Sequence, residues 1–175
     1  MKKISTILIL GILLFGCTGE VTSSPEASLS PKGSITGNNR SNLVQYEVIR
    51  VIDGDTVELK NGERLRYNDI DTPETVHPSK PIECYGVEAR KNNKELVEGE
   101  TILVELGNPE KDRYGRLLGY VYINDLFVNA ELVRGGYAEV NSYGNPGSKL
   151  SNLLDIEKNA KKRMEGIWGT CLNSR

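Results

Sequence analysis

Histidine is almost absent from this chain: His77 is the single example among 175 residues, and cysteine occurs only as Cys17, Cys84 and Cys171. A structural zinc site of Cys and His ligands would need nearly all of these side chains, at spacings they do not have. A catalytic pair of histidines is excluded, and so is a facial triad with two histidines. Any metal site must therefore be built from oxygen atoms, which points to calcium or magnesium before zinc or iron. A charge excess of one sign is missing as well, with 22 Lys and Arg against 24 Asp and Glu. The net field gives no argument for nucleic acid, so any such partner has to be read from a local site. The apolar run from Ile7 to Phe15 falls short of the ~20 residues that span a bilayer comfortably.

That run follows Met1-Lys2-Lys3 and leads into Gly16-Cys17, the layout of an export signal. Leu14-Phe15-Gly16-Cys17 also looks like a bacterial lipobox, in which cleavage leaves Cys17 as the lipid-bearing first residue; an ordinary cleaved signal that contains a cysteine is the alternative. The expectation is a signal peptide over 1–16, then a lipidated Cys17 and a flexible linker over 17–42. That linker is rich in Ser, Thr, Pro, Gly and Asn and poor in large apolar residues. A domain over 43–171 and a short tail over 172–175 follow. The protein is expected to be exported and held at the membrane by its anchor, or secreted, and to be a monomer. With Cys17 as the anchor, Cys84 and Cys171 remain as an even pair in an oxidising compartment. They are expected to form a disulfide between the first helix region and the C-terminus, the alternative being two thiols too far apart to meet.

Within the domain, Tyr46–Ile52, Asp55–Leu59 and Arg64–Ile70 read as strands, with Asn61-Gly62 as a hairpin turn in which both residues tolerate positive φ. Glu83–Val97 suits a helix ending at Gly99. Thr101–Leu106 and Leu117–Ile123 alternate like strands, Leu126–Val133 reads as a short helix closed by Gly135-Gly136, and Tyr137–Asn141 as a brief strand. Leu150, Leu153, Leu154, Ala160 and Met164 form one apolar stripe at helical period, with Gly166 as the expected C-cap. Consecutive hairpins followed by helices predict an α+β fold that is mainly β: a small closed barrel of five strands with about three helices packed outside it.

Three segments concentrate carboxylates, arginines and glycines. Asp53-Gly54-Asp55-Thr56 puts two carboxylates around a tight bend, an oxygen-rich corner for a hard cation. Asp71-Thr72-Pro73-Glu74 ends a strand, since Pro73 blocks further pairing. Arg66 lies five positions before Asp71, so on a straight strand the two face opposite sides, and a bulge or turn is needed to unite them. Asp112-Arg113-Tyr114-Gly115-Arg116 reads as a loop whose last arginine offers a planar, permanently charged fork to a phosphate. Each segment taken alone is an ordinary turn. Together they supply oxygen ligands, a further carboxylate as base and two arginines, which is what hydrolysis of an anionic diester requires.

These three motifs resemble, in order and spacing, those of the staphylococcal nuclease-like thermonucleases. Further matches are His77-Pro78, Tyr85-Gly86, Glu88-Ala89, Val128-Asn129, the run Ala130 to Arg134, and Ile167-Trp168, so the resemblance covers about Val48 to Trp168. It implies an OB-fold and a calcium-dependent phosphodiesterase that cuts DNA and RNA on the 5′ side of the phosphorus, leaving 3′-phosphates. Position by position it implies Asp55 and Asp71 as calcium ligands, Thr72 through its carbonyl, and Asp53 close behind them. It implies Glu74 as general base and Arg66 and Arg116 as the phosphate-binding arginines. Lys80, Arg113 and Tyr143 are expected to bind substrate. Asn68-Asp69 and Asn141-Ser142-Tyr143 depart from the family pattern; Asp69 is expected to add negative charge near the metal. A non-catalytic OB-fold lipoprotein that binds nucleic acid is the alternative, set against the presence of Arg66, Glu74 and Arg116 together.

Overall fold

Apolar side chains at every second position build the barrel from the inside: Val57 and Leu59, Leu65 and Tyr67, Ile102 and Val104, and Leu117 are all buried, as the two-residue period of a strand requires. The structure, a computed structural model, describes residues 42–76, 79, 81–142 and 147–172. The expected signal peptide, Cys17 and nearly all of the expected linker lie outside the described residues, as do His77, Pro78, Lys80, Tyr143 and residues 173–175. No helix among the described residues is long and apolar enough to cross a membrane.

In chain order the elements are β1 (Leu43–Asp53), β2 (Thr56–Leu59), β3 (Arg64–Tyr67), β4 (Ile70–Asp71), α1 (Gly86–Val97), β5 (Thr101–Lys111), β6 (Leu117–Ile123), β7 (Leu126–Phe127), α2 (Val128–Arg134), β8 (Glu139–Val140), α3 (Leu150–Arg163) and α4 (Ile167–Thr170). The main sheet runs β3-β2-β1-β5-β6-β7, and a parallel pairing of β3 with β6 closes β1, β2, β3, β5 and β6 into a five-stranded barrel. With helices outside it, this is the α+β OB-fold. β1 is long because it serves two neighbours: Leu43–Glu47 pair with β5 and Val48–Asp53 pair with β2. Register shifts on either side of Arg50 and Val51 bend it between the two.

The β2–β3 turn is not a two-residue Asn-Gly turn. Gly62 N–H donates to Leu59 C=O and only Gly62 has positive φ, at 85°, a tight turn followed by a left-handed glycine. The strand expected over Arg64–Ile70 is broken. β3 ends at Tyr67, the chain turns through Asn68 and Asp69, and β4 joins a second small sheet with β8. The stripe on α3 is also narrower than its spacing implies: Leu153 and Ala160 are buried, whereas Leu154 and Met164 are about half exposed. Glu157 takes a buried place on that face because its Oε1 accepts Val140 N–H at 2.9 Å. Met164, at φ 56°, is the left-handed cap of α3; Gly166 lies beyond it at the start of α4.

Asn129 ties the barrel to the turn that leaves it. Fully buried on α2, its Oδ1 accepts Val121 N–H at 2.9 Å and its Nδ2 donates to Asn68 C=O at 2.9 Å. Asn129→Ala strands both backbone groups, so urea unfolding should show a loss of about 2–4 kcal/mol; an unchanged midpoint would mean the two bonds are replaced by water.

Candidate active site

The candidate site is assembled where β1, the β1–β2 bend, β3 and β4 meet. β3 carries Arg66 on its outer face, since its neighbours Leu65 and Tyr67 point into the core. On a regular strand Asp71 would then face the other way. The Asn68–Asp69 turn corrects the phase: Asp69 adopts φ 58°, an uncommon conformation for a residue with a Cβ. Three contacts hold it there. Asn129 binds the Asn68 carbonyl, Asn141 N–H donates to Asp69 C=O at 3.0 Å, and Tyr120 Oη–H donates to the Asp69 carboxylate. Asp69 is therefore committed to Tyr120, and its contacts show it turned to that hydroxyl rather than to Asp55 or Asp71.

Arg66 then reaches two acids at once. Its Nη1 pairs with Asp55 Oδ2 and its Nη2 with Asp71 Oδ1, the latter at 2.7 Å. Burial opposes the guanidinium charge, but the two carboxylates more than offset it and hold the group above its ordinary value. Asp55 is itself buried and well supplied with donors: Thr72 N–H at 2.9 Å and Thr72 Oγ1 at 3.0 Å reach Oδ2, and Thr56 Oγ1 reaches Oδ1 at 3.0 Å. Asp71 Oδ2 accepts from Asn141 Nδ2 at 3.4 Å.

Behind them, Asp53 Oδ1 accepts Gly54 N–H at 2.9 Å and Thr75 Oγ1 at 2.7 Å. Burial, and then a proton shared with Glu74, lift Asp53 to about 7. Glu74 Oε1 accepts the N–H groups of Thr75 and Val76 at 3.1 and 3.0 Å, which fixes the plane of its carboxyl. The structure thus sets Asp55 and Asp71 on one guanidinium, Thr72 on Asp55, and Asp53 in contact with Glu74 and Thr75. Two carboxylates on a single arginine leave a local excess of negative charge.

Among the described residues, no three His, Cys, Asp or Glu side chains are grouped as a cage for a metal ion. Asp55 and Asp71 are nonetheless drawn to one guanidinium, and Thr72 is pinned to Asp55 by two bonds. Two carboxylates and a peptide carbonyl, all hard oxygen donors, fit a calcium ion that keeps part of its water shell.

Arg116 precedes β6, one residue before Leu117, which pairs with Leu65 of β3. Leu65 and Leu117 both point inward, so strand alternation puts Arg116 on the same outer face as Arg66. Asp112 steers its side chain, accepting from Arg116 N–H at 3.0 Å and from Nε at 2.7 Å. Neither Nη group of Arg116 donates to a protein acceptor among the described residues, which leaves that end of the fork for an anion. Burial alone would raise the Asp112 carboxyl; Arg116 and two backbone N–H groups hold it below its usual range.

Arg66, Asp112, Arg113 and Tyr114 line one cleft of about 810 Å³. Tyr114 is 68% exposed, with the Arg113 and Arg116 guanidinium carbons 4.8 and 5.6 Å from its ring centre. Tyr114 was missed in the sequence, where an aromatic between two arginines was the available signal. Asn141 and Thr75, which bind Asp71 and Asp53, were missed too and carry no local signal. Lys80 and Tyr143 lie outside the described residues. Cys84 and Cys171 are bonded to each other, with Cα atoms 5.9 Å apart.

The sequence model of the staphylococcal nuclease homologues matches residues 64–170, a span that holds Arg66, Asp71, Glu74 and Arg116. A thermonuclease of Staphylococcus hyicus is 35% identical over 175 residues, covering 96% of this chain and 99% of its own. A thermonuclease of Staphylococcus intermedius is 34% identical over 173 residues, again covering 96% and 99%. Endonuclease YncB of Bacillus subtilis (strain 168) is 36% identical over 141 residues, covering 78% of this chain and 67% of its own.

The bend itself has a steric requirement. A Cβ on Gly54 would lie 2.6 Å from Thr72 Oγ1 and 2.7 Å from Thr72 Cβ, so Gly54→Ala must push Thr72 off Asp55. Urea unfolding of that variant should show a loss of about 1–3 kcal/mol; wild-type stability would show that Thr72 moves freely.

Proposed function

The chain belongs to the staphylococcal nuclease family and is a phosphodiester-hydrolysing nuclease, and from that premise we propose that it is calcium-dependent and cuts DNA and RNA with low sequence specificity. The observation that carries the finer reading is the meeting of Asp55, Asp71 and Arg66 beside Glu74, at the edge of a cleft furnished with Arg113 and Tyr114. Asp55, Asp71 and the Thr72 carbonyl would hold the calcium, with Asp53 behind them. That ion would supply positive charge to offset the negative charge of the phosphodiester.

The protein's own groups do the rest. Arg66 and Arg116 bind the phosphodiester from one face of the β3–β6 pair and stabilise the extra negative charge of the transition state. Glu74 takes a proton from the attacking water. As the new oxygen–phosphorus bond forms, the bond to the 5′ oxygen breaks, that oxygen takes up a proton from solvent, and a 3′-phosphate remains. Arg113 meets neighbouring phosphates and the exposed ring of Tyr114 offers a face to a base, with Lys80 and Tyr143 as further substrate contacts. Low specificity follows, because these groups address backbone charge and π-faces rather than base edges. The same reading takes the chain as an exported monomer: the signal over 1–16, lipidation at Cys17 and the linker over 17–42 are proposed from their residue pattern.

The deciding experiment is cleavage of single-stranded DNA by the purified full chain with calcium and then with a chelator. Cutting should stop on chelation and return with calcium; cutting that persists without metal would overturn the calcium reading, and binding without cutting would favour a binding module. Glu74→Gln should lower turnover by about 10²–10⁴-fold with binding retained, and near-normal rates would remove it as the base. Arg116→Ala should cost about 10²–10³-fold, and wild-type turnover there would place the phosphate elsewhere.

A further inference from the structure

We infer that Glu83 and the Cys84–Cys171 disulfide are positioning residues that clamp the peptide of Glu74 in place for reaction, an inference that rests on Glu74 being the base. Glu74 and Glu83 are nine residues apart and joined by two reciprocal bonds. Glu74 N–H donates to Glu83 Oε2 at 3.0 Å, and Glu83 N–H donates to Glu74 C=O at 3.0 Å. One residue therefore holds the backbone of Glu74 on both sides.

Glu83 is exposed, so water competes for both bonds and they are weak unless the two ends are already held together. The next residue does this. Cys84 is covalently joined to Cys171, a partner 87 positions away that is buried with Ala160, Ile167 and Trp168. The following residue, Tyr85, sits at φ 69° as the N-cap of α1 and makes no side-chain capping bond. A non-glycine residue persists in that conformation only where its surroundings impose it; here they are the bridge on one side and the Tyr137 ring, stacked at 5.6 Å, on the other. Gly86 completes the seat. A Cβ there would lie 3.0 Å from Pro73 C=O and 3.2 Å from Glu74 C=O, so the start of α1 rests directly on the peptide that carries Glu74. A bridge placed for stability alone needs none of these contacts with residue 74.

The test uses the full chain and steady-state cleavage of single-stranded DNA at saturating calcium, before and after dithiothreitol. The reagent converts the bridge to two thiols and is itself oxidised to its cyclic disulfide. Reduction should lower kcat by about ten- to a hundred-fold and leave KM within about two-fold. Glu83→Ala keeps the bridge and should show the same kcat loss, whereas Glu83→Gln, whose amide oxygen still accepts from Glu74 N–H, should recover it. In a Glu74→Gln background, reduction should lower the residual rate no further. Circular dichroism and Trp168 fluorescence report the fold in each case; if reduction unfolds the domain, the Glu83 pair decides. An unchanged kcat in Glu83→Ala overturns the clamp. So does a rise in KM alone, or an equal loss on reduction in the Glu74→Gln background. Undiminished turnover of Glu74→Gln before any reduction would instead be the failure of Glu74 as base, a separate result.

Discussion

Arg66 lies on the strand that closes the barrel, and its guanidinium spans Asp55 on the β1–β2 bend and Asp71 beyond the β3–β4 turn. Most of the site depends on that span. A barrel strand is fixed by its neighbours, so Arg66 inherits the rigidity of the β3–β6 pairing and imposes it on two segments that Thr72 also joins through its bonds to Asp55. The loops repay the constraint unequally, since Asp55 is buried and tied to Thr72 whereas the Asp71 side chain is 39% exposed. Asp53 and Glu74 lie outside that pair and share a proton with each other.

Much of the fold was legible because period and punctuation agreed. Leu117–Ile123 reads as a strand and forms β6 over those residues, and the strand-then-helix order was enough to give the barrel. The break in the third strand was not legible. Aspartate enters the left-handed region more readily than most residues, but what holds Asp69 there, namely Asn129, Asn141 and Tyr120, is distant in sequence. The same distance hides the roles of Asn141 and Glu83. Leu154 and Met164 misled for the opposite reason, since helical spacing marks a face but cannot say how far its neighbours extend, and Glu157 takes part of that face instead. The motif residues Asp53, Asp55, Asp71, Glu74 and Arg116 stood out because carboxylates, glycine and arginine crowd into short bends there, where packing has little use for them.

A nearly neutral protein that handles a polyanion has to separate its charges within the domain. Here the carboxylates gather behind the β1–β2 bend, while Arg113 and Arg116 flank an exposed ring on the loop before β6. The positive field of that loop is thus local, and it fades beyond a Debye length of about 8–10 Å at ordinary salt.

The bridge between Cys84 and Cys171 has one more consequence. It encloses every element from α1 to α4 in a single covalent ring. A protease that severs any one peptide bond within that ring opens it without releasing a fragment, so the two pieces keep their shared core and each other's company. A single internal cut therefore need not take the domain apart.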